Sequence, residues 1–147
     1  MSSNQIRIVI ADDHTDVRQT WRILLEQDER FVVVAECADG EQVLEAAEKL
    51  VPDIILMEID MSPVNGLEAT KKILKQNPSI KIIGVSIDDQ PSYAISMLKA
   101  GANGYVTKNS SREEMIFAIL KIFNGGQYIC EEVQNKMNNE QGTRNVE

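Results

Sequence analysis

Five short β-rich runs alternate strictly with five amphipathic stretches, and that alternation admits few folds. The runs are IRIVIAD (6–12), FVVVAEC (31–37), IILMEI (54–59), IKIIGVSI (80–87) and GYVTK (104–108). Several are nearly continuous apolar segments, the pattern of strands covered on both faces. Between them, Val17, Trp21, Leu24 and Leu25 share one helical face, as do Val43, Ala47 and Leu50. Leu67, Thr70 and Leu74 form a weaker stripe; Ala94, Ile95 and Leu98 follow, then Ile116, Ile119, Leu120 and Phe123. Pro91 suits a first helical turn, while Pro78, Gly101 and Gly125-Gly126 punctuate helix ends. Strict βα alternation predicts parallel strands joined by right-handed crossovers. The expected fold is α/β: an open, doubly wound five-stranded sheet with its crevice beyond the carboxyl ends of the strands.

The chain's 147 residues suffice for one core. The formal charge is −8, from 23 acids and 15 bases, and the bases are scattered. Direct nucleic-acid binding by this chain is therefore not expected. No apolar run approaches a membrane span and no secretory leader is apparent, so cytoplasm is the default expectation. Cys37 ends an apolar run and reads as a small core residue; Cys130 stands in a polar stretch. Residues 1–126 read as the folded body. Residues 127–147 read as a polar tail, in which Tyr128, Val133 and Met137 could form one short helix or a docking stretch.

The strand ends hold the chemistry. Strand one delivers Asp12 and Asp13, strand three Glu58 with Asp60 beyond it, strand four Ser86, and strand five Lys108. Clustered carboxylates need a compensating cation. Mg²⁺ takes oxygen ligands and keeps waters or phosphate oxygens in its shell. A lysine and a hydroxyl suit a phosphoryl group, whose transfer depends mainly on positioning and charge neutralisation. His14 reads as an exposed first-turn residue. Asp12 and Asp13 alone could equally form a turn that caps the first helix near Thr15.

ADDH after strand one, PDIILMEIDM followed by NGLEAT, GVSI ending strand four, and GANGYVTK at strand five occur in the order of one known family. Over about residues 5–126 the chain resembles the receiver domain of two-component response regulators, in the LuxR-type subgroup. GGQYICEEVQNKM resembles the linker that leads to a helix-turn-helix domain there. The resemblance implies a flavodoxin-like (βα)5 fold with strand order 2-1-3-4-5. It implies Mg²⁺ held by Asp12, Asp13, the acceptor position and the backbone carbonyl of Asp60. Ser86 becomes the phosphoryl-binding and switch hydroxyl, Tyr105 the switch aromatic, and Lys108 the phosphoryl-pairing lysine. A histidine kinase becomes a partner. Helix 4, strand 5 and helix 5 become the face for a dimer or another protein, with Ile95, Leu98, Lys99, Tyr105, Glu114 and Lys121 on it.

The family's phosphoacceptor is aspartate, and its position here holds Glu58. One extra C–C bond moves the carboxylate by roughly 1–1.5 Å. A displacement near 1 Å costs on the order of 100-fold where reaction depends on alignment. The longer side chain can instead reach the Lys108 ammonium. Ile87 replaces the small residue common after the switch hydroxyl and should narrow the pocket mouth; Asn109 stands where many members have proline.

The expected function is thus a non-enzymatic, atypical receiver acting by protein–protein contact, with at most weak self-phosphorylation and dephosphorylation. Three alternatives stand beside it. Glu58 could be a slow, Mg²⁺-dependent phosphoryl acceptor. The chain could be the receiver part of a helix-turn-helix transcription regulator. It could also be a flavodoxin-like domain for a small ligand, although strand one is followed by no Gly-rich phosphate loop.

Overall fold

The computed structural model describes residues 4–146, with side chains to residue 139. The five expected strands are present within one residue at each end: β1 (Ile6–Ala11), β2 (Phe31–Cys37), β3 (Ile54–Glu58), β4 (Lys81–Ser86) and β5 (Gly104–Thr107). Between them run α1 (Thr15–Glu26), α2 (Gly40–Leu50), α3 (Gly66–Gln76) and α4 (Pro91–Lys99), and α5 (Arg112–Phe123) follows β5. All strand pairings are parallel. Every residue of β3 and β5 is buried, which is why those runs lack alternation.

The expected count of five strands is corrected to six. Tyr128–Ile129 form β6 beside β5, so the order is β2-β1-β3-β4-β5-β6. The cause is local. Gly104 faces Tyr128, and a Cβ at Gly104 would lie 2.5 Å from the Tyr128 carbonyl oxygen. Only a bare backbone admits the sixth strand there. Beyond it, α6 (Glu131–Val146) packs against α4. Cys130 and Val133 are fully buried by this docking, within a stretch whose composition is polar.

Helices α1 and α5 pack together on one face of the sheet, and α2, α3 and α4 line up on the other. Trp21 and Leu25 anchor α1, Val43 and Ala47 anchor α2, and Met115, Ala118, Ile119 and Ile122 anchor α5. In α3 the buried face is Ala69, Thr70 and Ile73, with Leu67 and Leu74 at its flanks. Of the expected stripe Thr70 is buried, while Ala69 and Ile73 take the inward places expected of Leu67 and Leu74. In α4, Ala94 and Met97 point inward and Ile95 faces solvent. Asp39, Asn65 and Ser111 cap α2, α3 and α5 through their side chains. Pro91 stands in the first turn of α4. Among the described residues, no helix is long and apolar enough to cross a membrane.

Candidate functional site

A parallel sheet brings the carboxyl ends of its central strands to one edge, and β1, β3 and β5 do so here. Asp12 follows β1, Glu58 ends β3, and Lys108 follows β5. The Lys108 ammonium lies 2.5 Å from Glu58 Oε1 and 2.8 Å from Asp12 Oδ2. Both acids are 3 % exposed, so the ion pairs are largely shielded from water. Burial opposes the charge on Lys108, but hydrogen bonds to Asp12 and Glu58 outweigh it, and the ammonium is held above its ordinary pKa.

The backbone fixes each partner. Asp12 Oδ1 accepts the His14 N–H at 2.9 Å, closing a turn before α1. Arg18 donates to the Asp12 carbonyl at 2.6 Å. Glu58 Oε2 accepts the Asp60 N–H at 3.0 Å, so both of its oxygens are engaged. Gly66 makes the floor of this loop: its N–H donates to Ile59 O at 2.8 Å, and a Cβ there would lie 2.0 Å from the Glu58 carbonyl oxygen. The Lys108 N–H donates to the Ser86 carbonyl at 2.8 Å, tying the ends of β5 and β4 together.

Ser86 is fully buried, and its Oγ accepts the Asp88 N–H at 3.2 Å. The Tyr105 hydroxyl donates to the Asp88 carbonyl at 2.5 Å. Burial pushes that hydroxyl well above its ordinary pKa. Ser86, Asp88 and Tyr105 thus form one polar cluster beside the ion pairs. Ile87, next in the chain, is 74 % exposed.

The carboxylate and imidazole groups close enough to share one cation are, among the described residues, Asp12, Asp13 and His14. His14 Nδ1 contacts Asp12 Oδ1 at 3.1 Å and Asp13 Oδ1 at 3.0 Å, so the two carboxylates converge on one point. Their hard oxygens fit a divalent cation such as Mg²⁺. Glu58, expected among the metal ligands, is not in this group. The Asp60 side chain is exposed.

The expected contact residues are divided among the core, the chain's own C-terminal segment and solvent. Tyr105 is wholly buried, its ring edge and the Met97 side chain both close over Gly84. Glu114 turns to the chain's own C-terminal segment: its Oε2 accepts the Tyr128 hydroxyl at 2.6 Å and the Glu131 N–H at 2.8 Å. Lys121 stands over the Tyr128 ring at 5.9 Å from its centre. Leu98 lines a cavity shared with Tyr128, Ile129 and Met137. Ile95 and Lys99 are exposed. Arg18, Asp88 and Thr107 are site neighbours that carry no signal in the sequence. Each acts through a partner brought near only by folding.

A response regulator receiver domain model matches residues 8–120. The chain is 39 % identical over 137 residues to the transcriptional regulatory protein DegU of Brevibacillus brevis, covering 93 % of this chain and 58 % of that protein. It is 36 % identical over 132 residues to the response regulator GacA of Pseudomonas viridiflava, covering 90 % of this chain and 62 % of that one. The chain thus spans about three fifths of the length of these curated relatives. Among solved structures, a LuxR-family two-component response regulator from Aurantimonas superposes with a TM-score of 0.89 at 31 % identity, covering 93 % of this chain and 98 % of that chain. The isolated receiver domain of RcsB from Salmonella enterica, solved with the phosphomimetic BeF3⁻, gives a TM-score of 0.81 at 26 % identity over 90 % of this chain and 98 % of that one. With its fold, its strand-end cluster and these relatives in agreement, the chain belongs to the response regulator receiver domain family, with relatives of the LuxR type.

Proposed function

We propose that this receiver domain uses Glu58 as a fixed negative charge rather than as a phosphoacceptor, and that it signals by protein–protein contact. The observation that carries this reading is the 2.5 Å ion pair between Glu58 and Lys108. The lysine that would pair with an incoming phosphoryl group is already neutralised by the longer side chain. Both Glu58 oxygens are occupied, and an attacking oxygen must be free and aligned to react. Mg²⁺, where bound, would be held by Asp12 and Asp13. It would then serve electrostatics rather than transfer. The charge cluster biases the loop after β4 toward one state, and a receiver's two states differ by only a few kcal/mol, so one fixed charge is enough to matter.

The test is incubation with acetyl phosphate and Mg²⁺ followed by intact mass measurement. The chain should gain no phosphoryl group, whereas Glu58→Asp should gain one. A stoichiometric gain by the unaltered chain would instead support slow transfer to Glu58. Glu58→Gln should also change self-association or partner affinity, and no change in either would count against the electrostatic mechanism.

A second reading concerns the larger protein. The relative DegU is a transcriptional regulatory protein, and the chain covers only part of such relatives. The domain would then be the receiver portion of a cytoplasmic transcription regulator, with nucleic-acid contact made elsewhere, as its acidic charge favours. A longer reading frame encoding a helix-turn-helix would establish that role.

A further inference from the structure

The C-terminal segment is bonded to both sides of the site. Thr107 immediately precedes Lys108, and its buried hydroxyl donates to Glu132 Oε1 at 2.8 Å. Asp89 immediately follows Asp88, and its Oδ1 lies 2.8 Å from the Lys136 ammonium. Glu132 and Lys136 are one helical turn apart and share a face of α6. That face therefore spans the end of β5 and the loop after β4.

The loop it grips carries the polar cluster described above. Asp88 gives its N–H to Ser86 and takes the Tyr105 hydroxyl on its carbonyl. The Tyr105 carbonyl in turn accepts the Cys130 N–H at 2.9 Å, just before α6. Under these polar contacts, Val133 and Cys130 are fully buried and Met137 is partly so. An apolar anchor fixes where α6 lies, and directional bonds fix the loop to it. Movement of Asp88 and Asp89 cannot leave α6 where it is without breaking the Asp89–Lys136 pair.

We propose that α6 is a latch on the loop after β4, so that the placement of the chain's C-terminal segment and the conformation around Ser86 and Lys108 are coupled through Asp89–Lys136 and Thr107–Glu132. The latch keeps the surface of α4 and β5 occupied by the chain itself. Opening the loop frees α6 and uncovers that surface; displacing α6 releases the loop. The proposal takes the Glu58–Lys108 reading as its input but does not need it.

The experiment uses the full chain with Lys136→Glu and the charge-swapped pair Asp89→Lys/Lys136→Glu. Hydrogen exchange is read over residues 128–137, and amide NMR shifts at Ser86, Asp88 and Lys108. Lys136→Glu should raise exchange in the segment several-fold and shift the three amides; the swapped pair should restore both toward the unaltered chain. Faster exchange with unmoved amides at all three positions would overturn the latch, as would failure of the swap to restore them. Glu58→Gln is the separating arm. If it leaves residues 128–137 unchanged while Lys136→Glu moves the loop, the latch stands and the proposed charge input fails.

Discussion

Lys108→Met removes the only ammonium bonded to Asp12 and Glu58 among the described residues while keeping most of the side chain's length and volume. Two carboxylates, each 3 % exposed, would then face one another without a cation. Because both now bond one ammonium, their oxygens lie within ~5 Å of each other, where two unit charges at an effective dielectric of about 20 repel by roughly 3 kcal/mol. Breaking a buried pair by removing one partner typically costs about 3–5 kcal/mol, and the repulsion alone reaches that range. The variant should therefore lose about 3–5 kcal/mol at pH 7. The loss should shrink in acid. Neutralising either acid removes the repulsion that causes the loss. Urea unfolding followed by circular dichroism and by the fluorescence of Trp21, the single tryptophan, gives the number at pH 7 and pH 5. A variant within about 1 kcal/mol of the unaltered chain at pH 7 would refute the claim that Lys108 neutralises a buried acid pair.

Alkali should act through the same lysine. Its folded pKa is raised, so its contribution is fully present below the ordinary value of 10.5 and is lost as pH rises through the folded value. The stability gap between the unaltered chain and Lys108→Met should narrow above that range in unfolding titrations. Gly66→Ala places a methyl group 2.0 Å from the Glu58 carbonyl oxygen. It should cost at least about 2 kcal/mol and broaden the Glu58, Asp60 and Lys108 amide resonances, since backbone must shift to admit it. Thr70→Val should stabilise the chain by about 1 kcal/mol in the same urea assay, because the buried Thr70 hydroxyl has no hydrogen-bond partner among the described residues.

Much of the fold was legible because strands covered on both faces must be apolar throughout. Ile54 to Met57 and Ile82 to Val85 announce themselves for that reason. Asp12, Glu58 and Lys108 were legible as a group because parallel βα topology sends strand ends to one edge, whatever the sequence separation. The sixth strand was not, because two residues carry no periodicity and β6 depends on Gly104 leaving room for it. The burial of Cys130 was equally silent, since residues 131–139 are mostly exposed, whereas Val133 and Met137 were readable as a docking stretch. That omission also hid the intramolecular partner of one expected contact residue. Glu114 looks like a surface residue until the chain returns and bonds it to Tyr128. Arg18 at the Asp12 carbonyl and Glu132 at Thr107 could not be read ahead, because charged helix residues look alike until folding chooses their partners.

The central claim is that the Glu58 carboxylate already satisfies Lys108 and leaves no place for a phosphoryl group. Titration with beryllofluoride and Mg²⁺, followed by amide NMR, tests it on the unaltered chain and Glu58→Asp side by side. The account predicts saturable shifts at Ser86, Thr107 and Lys108 in the aspartate variant and none attributable to beryllofluoride in the unaltered chain. Equal saturation of both by the same fluoride concentration would contradict it.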